Sequence, residues 1–205
     1  MIVKGNLVDC TKKGTIRIRE NSFLVVENGV ISKIYSQYEL PDALKNEKIE
    51  DYGDSLILPG LIDMHLHAPQ FAFRGLGMDM ELLDWLNTYT FPEEAKYKDI
   101  VYAKKAYKKF VDTLSKSYST RAVVFATLHT DATILLMDML EESGLKCFVG
   151  KVNMDRNSTD ELIETTESSI DSTVKWLDIC KDRYKNIKPI ITPRFIPSCS
   201  DELMK

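Results

Sequence analysis

The stretch that decides the fold is PGLIDMHLH, from Pro59 to His67. Its two histidines are two residues apart, so on a β-strand both imidazoles point to the same face. Two such nitrogens can share one metal ion at roughly 2.0–2.1 Å each. The apolar run before them, Ser55 to Leu58, predicts a buried parallel strand that carries these ligands into a pocket. The alternative is a pair of ordinary histidines near a strand end.

Composition restricts the classes of partner and compartment. The 205 residues include 27 basic and 31 acidic side chains, a formal charge of −4 that does not favour a nucleic-acid partner. No secretory pattern opens the chain, and no apolar run approaches a membrane span. The widely spaced cysteines predict free thiols in a reducing cytoplasm. They are Cys10, Cys147, Cys180 and Cys199.

Residues 1–56 are predicted to form β-structure. Ile16 and Ile18 alternate with arginines, a pattern typical of a half-buried strand. Asn28-Gly29 separates two apolar runs and predicts a hairpin, because both residues tolerate the positive φ of a tight turn. This region is interpreted as scaffold.

From Ser55 onward, predicted strands alternate with predicted helices, which indicates βα units and a parallel sheet. After the strand ending at His67, apolar runs predict strands at 122–126, 147–152 and 189–192. Helical periodicity predicts helices over 100–114 and 131–142, the latter ended by Gly144. The pattern Ser158-x-x-Glu161 predicts the capping box of a third helix.

Several further motifs accompany PGLIDMHLH, and together they resemble the guanine deaminases of the amidohydrolase superfamily. The similar segments are APQFAF at 68–73, LLDWL at 82–86, YTFPE at 89–93, FATLHTD at 125–131, FVGKV at 148–152 and TPRF at 192–195. The resemblance runs from about residue 57 to Lys205 and implies an α/β fold. Residues 57–205 would form the first half of a (β/α)₈ TIM-type barrel. Residues 1–56 would be a small β-sandwich segment completed elsewhere in the intact chain.

The length of the chain limits how much of a (β/α)₈ barrel it can form. A closed (β/α)₈ barrel typically takes about 250 residues, and only about 150 follow the β-rich segment. We therefore expect the chain to be the N-terminal part of a longer protein. The alternative is a natural fragment completed by a partner or by a second copy.

The resemblance implies metal ligands at His65 and His67 and substrate contacts from Gln70, Arg194 and Phe195. It implies one divalent metal, with zinc favoured and iron(II) as the alternative. No lysine ends the fourth strand, where binuclear superfamily members carry a carboxylated lysine, and this favours a single metal. The resemblance places the acid/base glutamate and the remaining ligands beyond Lys205, so no catalytic residue is assigned within the chain.

The activity implied is hydrolytic deamination of guanine to xanthine and ammonia by a cytoplasmic homodimer. The alternatives are a deaminase acting on a pterin, a triazine or adenosine, and a non-catalytic barrel scaffold. Residues 1–205 alone are expected to be inactive and to bind metal weakly. Structural roles are favoured for the other polar and aromatic residues near the motifs: Asp63, Trp85, Phe91, Glu93 and His129.

Overall fold

A computed structural model describes residues 1–205, which group into two compact units, residues 1–59 and residues 60–205. The first unit is a four-stranded sheet in the order β3-β2-β1-β4, in which only the β1–β4 pair is parallel. Its core contains Ile2, Phe23, Val25 and Leu40. The elements are β1 (Ile2–Cys10), β2 (Ile16–Glu27), β3 (Val30–Tyr35), α1 (Asp42–Lys45) and β4 (Ile49–Ile57).

Asn28 and Gly29 form the tight turn between β2 and β3 with φ of +52° and +75°, which confirms the predicted hairpin. The predicted burial at the start of β2 is wrong. Ile16 and Ile18 are 69% and 66% exposed. The neighbouring Arg17 donates to Asp9 at 2.8 Å, so this end of the ribbon is held by charge pairing at its surface and not by a core.

The second unit contains a four-stranded parallel sheet in the order β5-β6-β7-β9, so its strands lie side by side in sequence order. A short parallel pair, β8–β10, continues from two of these strands. The strands are β5 (Leu61–His67), β6 (Ser119–Phe125), β7 (Lys146–Gly150), β8 (Val152–Asn153), β9 (Ile187–Pro189) and β10 (Thr192–Pro193).

Helices connect these strands. A helical segment after β5 runs as α2 (Leu82–Trp85), a π-helical turn (Leu86–Thr90) and α3 (Phe91–Ala95). The longer helices are α4 (Ile100–Leu114), α5 (Thr130–Ser143) and α6 (Thr166–Cys180), and α7 (Asp201–Met204) follows the last strand. Short 3₁₀ turns lie at Pro69–Phe73, Lys96–Lys98 and Ile196–Ser198. None of the helices combines the length and apolar character that a membrane crossing requires.

Two local predictions are wrong. Ser55–Leu58 does not begin the histidine-bearing strand, because Ser55–Ile57 ends β4 and Leu56 is 62% exposed. The Pro59-Gly60 break separates the two strands. The capping box at Ser158 is also not used, because α6 begins later, where the hydroxyl of Thr165 accepts from the Ser168 amide at 3.1 Å.

The main core lies between the parallel sheet and its helices. Ala103, Tyr107 and Phe110 of α4 are buried, as the helical periodicity predicts. Val124 and Val149 on adjacent strands are fully buried with them. The core therefore fixes the strand ends from which the side chains of interest project.

Gly150→Ala is expected to destabilise the second unit by about 1–3 kcal/mol, because the added Cβ would overlap the Thr192 side chain. Urea unfolding should measure the loss. Thr192→Ala alone is the reference variant, because it removes a hydrogen bond of 2.9 Å to the Lys151 carbonyl. The double variant should lose less than the sum of the two, and strict additivity would contradict this account.

Candidate active site

A cavity of about 550 Å³ lies at the carboxyl ends of the parallel strands. Ligand sites of small molecules commonly occupy about 300–1,000 Å³. The structure places on its wall all five residues that the sequence predicted as metal or substrate contacts: His65, His67, Gln70, Arg194 and Phe195. The rest of the wall is mainly apolar and includes Trp85, Leu86 and Phe110.

The two histidines converge at the end of β5. Their Nε2 atoms lie 3.2 Å apart. Between Asp63 and Leu66, β5 has one more residue than the facing segment of β6, so a bulge lies at the strand end. Bulges of this kind redirect side chains next to functional sites. The Asp63 carboxylate accepts from the His65 backbone amide at 3.1 Å, which stabilises the bulged backbone.

Phe125, at the end of β6, stacks on the His67 ring with centroids 4.6 Å apart and an interplanar angle of 20°. The same ring lies 5.1 Å from the His65 ring. Burial, with the charges of Arg194 and His65, lowers the pKa of His67 to about 3. His67 is therefore neutral near pH 7, the state in which an imidazole nitrogen can bind a metal ion.

The histidine pair fits a metal ion in spacing and chemistry. Two nitrogens bound to one tetrahedral zinc at roughly 2.0–2.1 Å lie about 3.3 Å from each other, close to the 3.2 Å observed. The buried Nδ1 of His67 has no protein partner. No group of three or more histidine, cysteine or acidic side chains gathers here.

Arg194 is held from behind the cavity wall. Its Nη1 donates to Oε2 of Glu94 on α3, and the two side chains are only 3% and 2% exposed. The guanidinium also lies 5.8 Å from the centre of the Phe91 ring. Burial raises the pKa of Glu94, while Arg194 and the nearby Gln70 amide oppose that rise. The arginine thus reaches the cavity with its charge already compensated.

Phe195 has extended backbone, and its carbonyl accepts from the Ser198 amide at 3.0 Å. Its ring packs against a second apolar cluster that includes Leu86 and Phe91. Gln70 lies in the 3₁₀ turn directly after β5, on the same cavity wall as the histidines. Side chains from three separate parts of the chain therefore border one volume.

Of the other candidates, His129 and Glu93 lie away from this wall. His129 directly precedes α5 but makes no capping hydrogen bond, and burial, with nearby Lys98 and Lys151, lowers its pKa to about 4. Glu93 accepts from Lys96 at 2.7 Å and from the Tyr102 hydroxyl, so it is a structural carboxylate. Trp85 does line the cavity, and its Nε1 donates to the Leu76 carbonyl at 3.0 Å.

Sequence reasoning missed Glu94 and Phe125. The available signal for Glu94 was helical spacing: three residues after Phe91, it shares that residue's face, while Glu93 points elsewhere. Phe125 was interpreted only as part of a buried strand. Its position opposite His67 in the parallel register is what brings the ring onto the imidazole.

Comparison with known proteins places this chain in a family. The amidohydrolase family model matches residues 56–205. A guanine deaminase of Dictyostelium discoideum is 39% identical over 99% of this chain and 49% of its own length. A human guanine deaminase is 45% identical over 72% of this chain and 33% of its own length. The chain thus spans about half the length, or less, of the curated relatives it matches.

A solved structure extends the similarity to three dimensions. A guanine deaminase from C. acetobutylicum, solved with bound guanine in the active site, is 47% identical with a TM-score of 0.92. The match covers 99% of this chain and 48% of that one. The paired histidines at the end of the first parallel strand lie inside the matched segment, and with them this chain belongs to the amidohydrolase family.

Proposed function

We propose that the full-length protein containing this chain is a guanine deaminase that hydrolyses guanine to xanthine and ammonia. The observation that carries the proposal is the meeting of the histidine pair, an amide and a charge-compensated arginine on one apolar-walled cavity. The 47% identity to a guanine deaminase with bound guanine supports it. Residues 60–205 would then be the first half of a (β/α)₈ barrel, and residues 1–59 part of a small β-sandwich.

His65 and His67 would hold one divalent cation, with zinc favoured over iron(II). Amidohydrolases are generally metal-dependent, and a bound cation supplies Lewis-acid activation of water for hydrolysis. Catalytic zinc sites use about three protein ligands, so two histidines alone should bind weakly. Residues 1–205 by themselves are expected to release no ammonia from guanine.

The substrate would be held by groups that match a flat polar base. Gln70 offers amide donors and an acceptor to the base edge. Arg194 presents a planar set of donors to a carbonyl oxygen, and Phe195 borders the same space. Trp85, Leu86 and Phe110 exclude water from the base, which strengthens these hydrogen bonds.

Ammonia and xanthine formation by the full-length protein, with a panel of guanine, adenosine, a pterin and a triazine, tests the proposal. Guanine should be the best substrate by a wide margin. A different best substrate, or no turnover of any, would refute the assignment.

Gln70→Ala is expected to raise the KM for guanine by on the order of 10–100-fold, since a hydrogen-bonding group next to the base is removed. Steady-state kinetics measure the change. Gln37→Ala, at an exposed glutamine of the first unit, is the matched control and should leave KM unchanged. An unchanged KM in the Gln70 variant would exclude this contact.

A further inference from the structure

The ion pair behind the cavity wall links two distant parts of the chain. Arg194 lines the cavity, whereas Glu94 does not, so the carboxylate contacts the side of the guanidinium that faces the protein. Both side chains are almost completely removed from solvent. Only one of the five guanidinium N–H donors is used by Glu94. Donors therefore remain for a ligand in the cavity.

Glu94 also lies beside the second polar group of the wall. Its other oxygen, Oε1, is buried without a hydrogen-bond partner, and the Gln70 amide is near enough to influence the carboxyl. Phe91, one helical turn earlier, packs close to the guanidinium. One face of α3 thus supports both side chains that we assign to the base.

We propose that Glu94 is a positioning residue that sets selectivity for a neutral base bearing a carbonyl oxygen, by fixing the Arg194 guanidinium and compensating its charge. This inference rests on the proposed function and deepens it.

The physical reason is the cost of a buried charge. An unpaired guanidinium in an apolar wall would move toward water or recruit an anion, because desolvating a lone charge is costly. With Glu94 in place the pair is neutral overall, so the wall offers directed N–H donors without favouring an anionic ligand. A neutral carbonyl acceptor meets these donors at low reorganisation cost.

The test compares two bases in the full-length protein. The KM for guanine is measured together with the inhibition constant of 2-aminopurine, which lacks the 6-oxo group. E94Q is expected to raise the KM for guanine by on the order of 10–100-fold, the value of a charged hydrogen bond. The inhibition constant of 2-aminopurine should change less than about threefold, since it makes no carbonyl contact.

A double-mutant cycle identifies the route of the effect. In an Arg194→Ala background, which is expected to be inactive, the dissociation constants of guanine and 2-aminopurine are measured by calorimetry instead. E94Q should cause no further change in their ratio there, because the group through which Glu94 acts is gone. The proposal would be overturned if the effects of E94Q and Arg194→Ala on the ratio multiplied in the double variant. It would also be overturned if a folded E94Q single variant kept the wild-type ratio. E93Q is the matched control on the same helix and should leave the ratio at the wild-type value.

Folding is checked by thermal unfolding of each variant. Should E94Q not fold, E94D replaces it: the shorter carboxylate keeps the charge but withdraws from Arg194, and an intermediate loss of selectivity is expected. A folded E94D with the wild-type ratio would overturn the inference. Wild-type protein that does not turn over guanine would instead refute the proposed function, and this inference would fall with it.

Discussion

His67→Ala in the full-length protein is expected to abolish guanine deamination and to reduce metal affinity by more than about 100-fold. Loss of a partner that only supports a ligand typically costs 10–100-fold in affinity, and His67 would be a ligand itself. The facing Nε2 atoms, 3.2 Å apart, are the reason: neither imidazole alone provides a chelating pair. Metal content after dialysis, measured by mass spectrometry, and ammonia release report the two effects separately.

His129→Ala is the matched control, because His129 lies outside the cavity wall and should leave metal content and turnover at wild-type values. His65→Ala should reproduce the loss seen for His67. Wild-type metal stoichiometry in either cavity variant would contradict the assignment of that histidine as a ligand.

Arg194→Ala is expected to lower the free energy of unfolding by about 3–5 kcal/mol, because it leaves the Glu94 carboxylate buried without a counter-charge. Deamination of guanine should be lost as well. Urea unfolding and steady-state kinetics measure the two losses. Arg183→Ala, which removes the surface pair with Asp138, should cost at most about 1 kcal/mol.

Replacing both partners separates stability from function. Arg194→Met with Glu94→Leu fills the site with apolar side chains, so the double variant should recover most of the lost stability. It should stay inactive, because the donors to the base are absent. Recovery of guanine turnover in that variant would show that the base is held elsewhere.

Local patterns predicted much of this molecule. The apolar runs that became β6 and β7, and the periodicity that became α4, predict their elements because each buries one defined face. The burial of individual side chains was predicted less well than the positions of the strands and helices. Ile16 and Ile18 alternate like core residues, yet both are exposed, since what packs on a strand face is a tertiary property. Likewise Thr165 caps α6, whereas Ser158, which begins the predicted capping box, does not.

The residues of the site also differ in whether a local sequence pattern could reveal them. His65 and His67 could be recognised because their spacing alone puts both rings on one side of a strand. Arg194 was recognised only through family motifs. Its partner Glu94 is 100 residues away in sequence, so no local pattern could reveal the contact. The bulge in β5 likewise depends on the register with β6.

The Phe125 ring that lies flat on His67 also affects how readily the histidine pair can capture a cation. A free imidazole samples several rotamers and loses that conformational entropy on binding. Here the Phe125 ring already restricts rotation of the His67 imidazole. The loss of side-chain conformational entropy therefore occurs when the protein folds and not when a ligand binds. Replacing Phe125 with a small side chain would loosen this preordered histidine pair and speed the release of the cation that we propose it holds, even with both histidines in place.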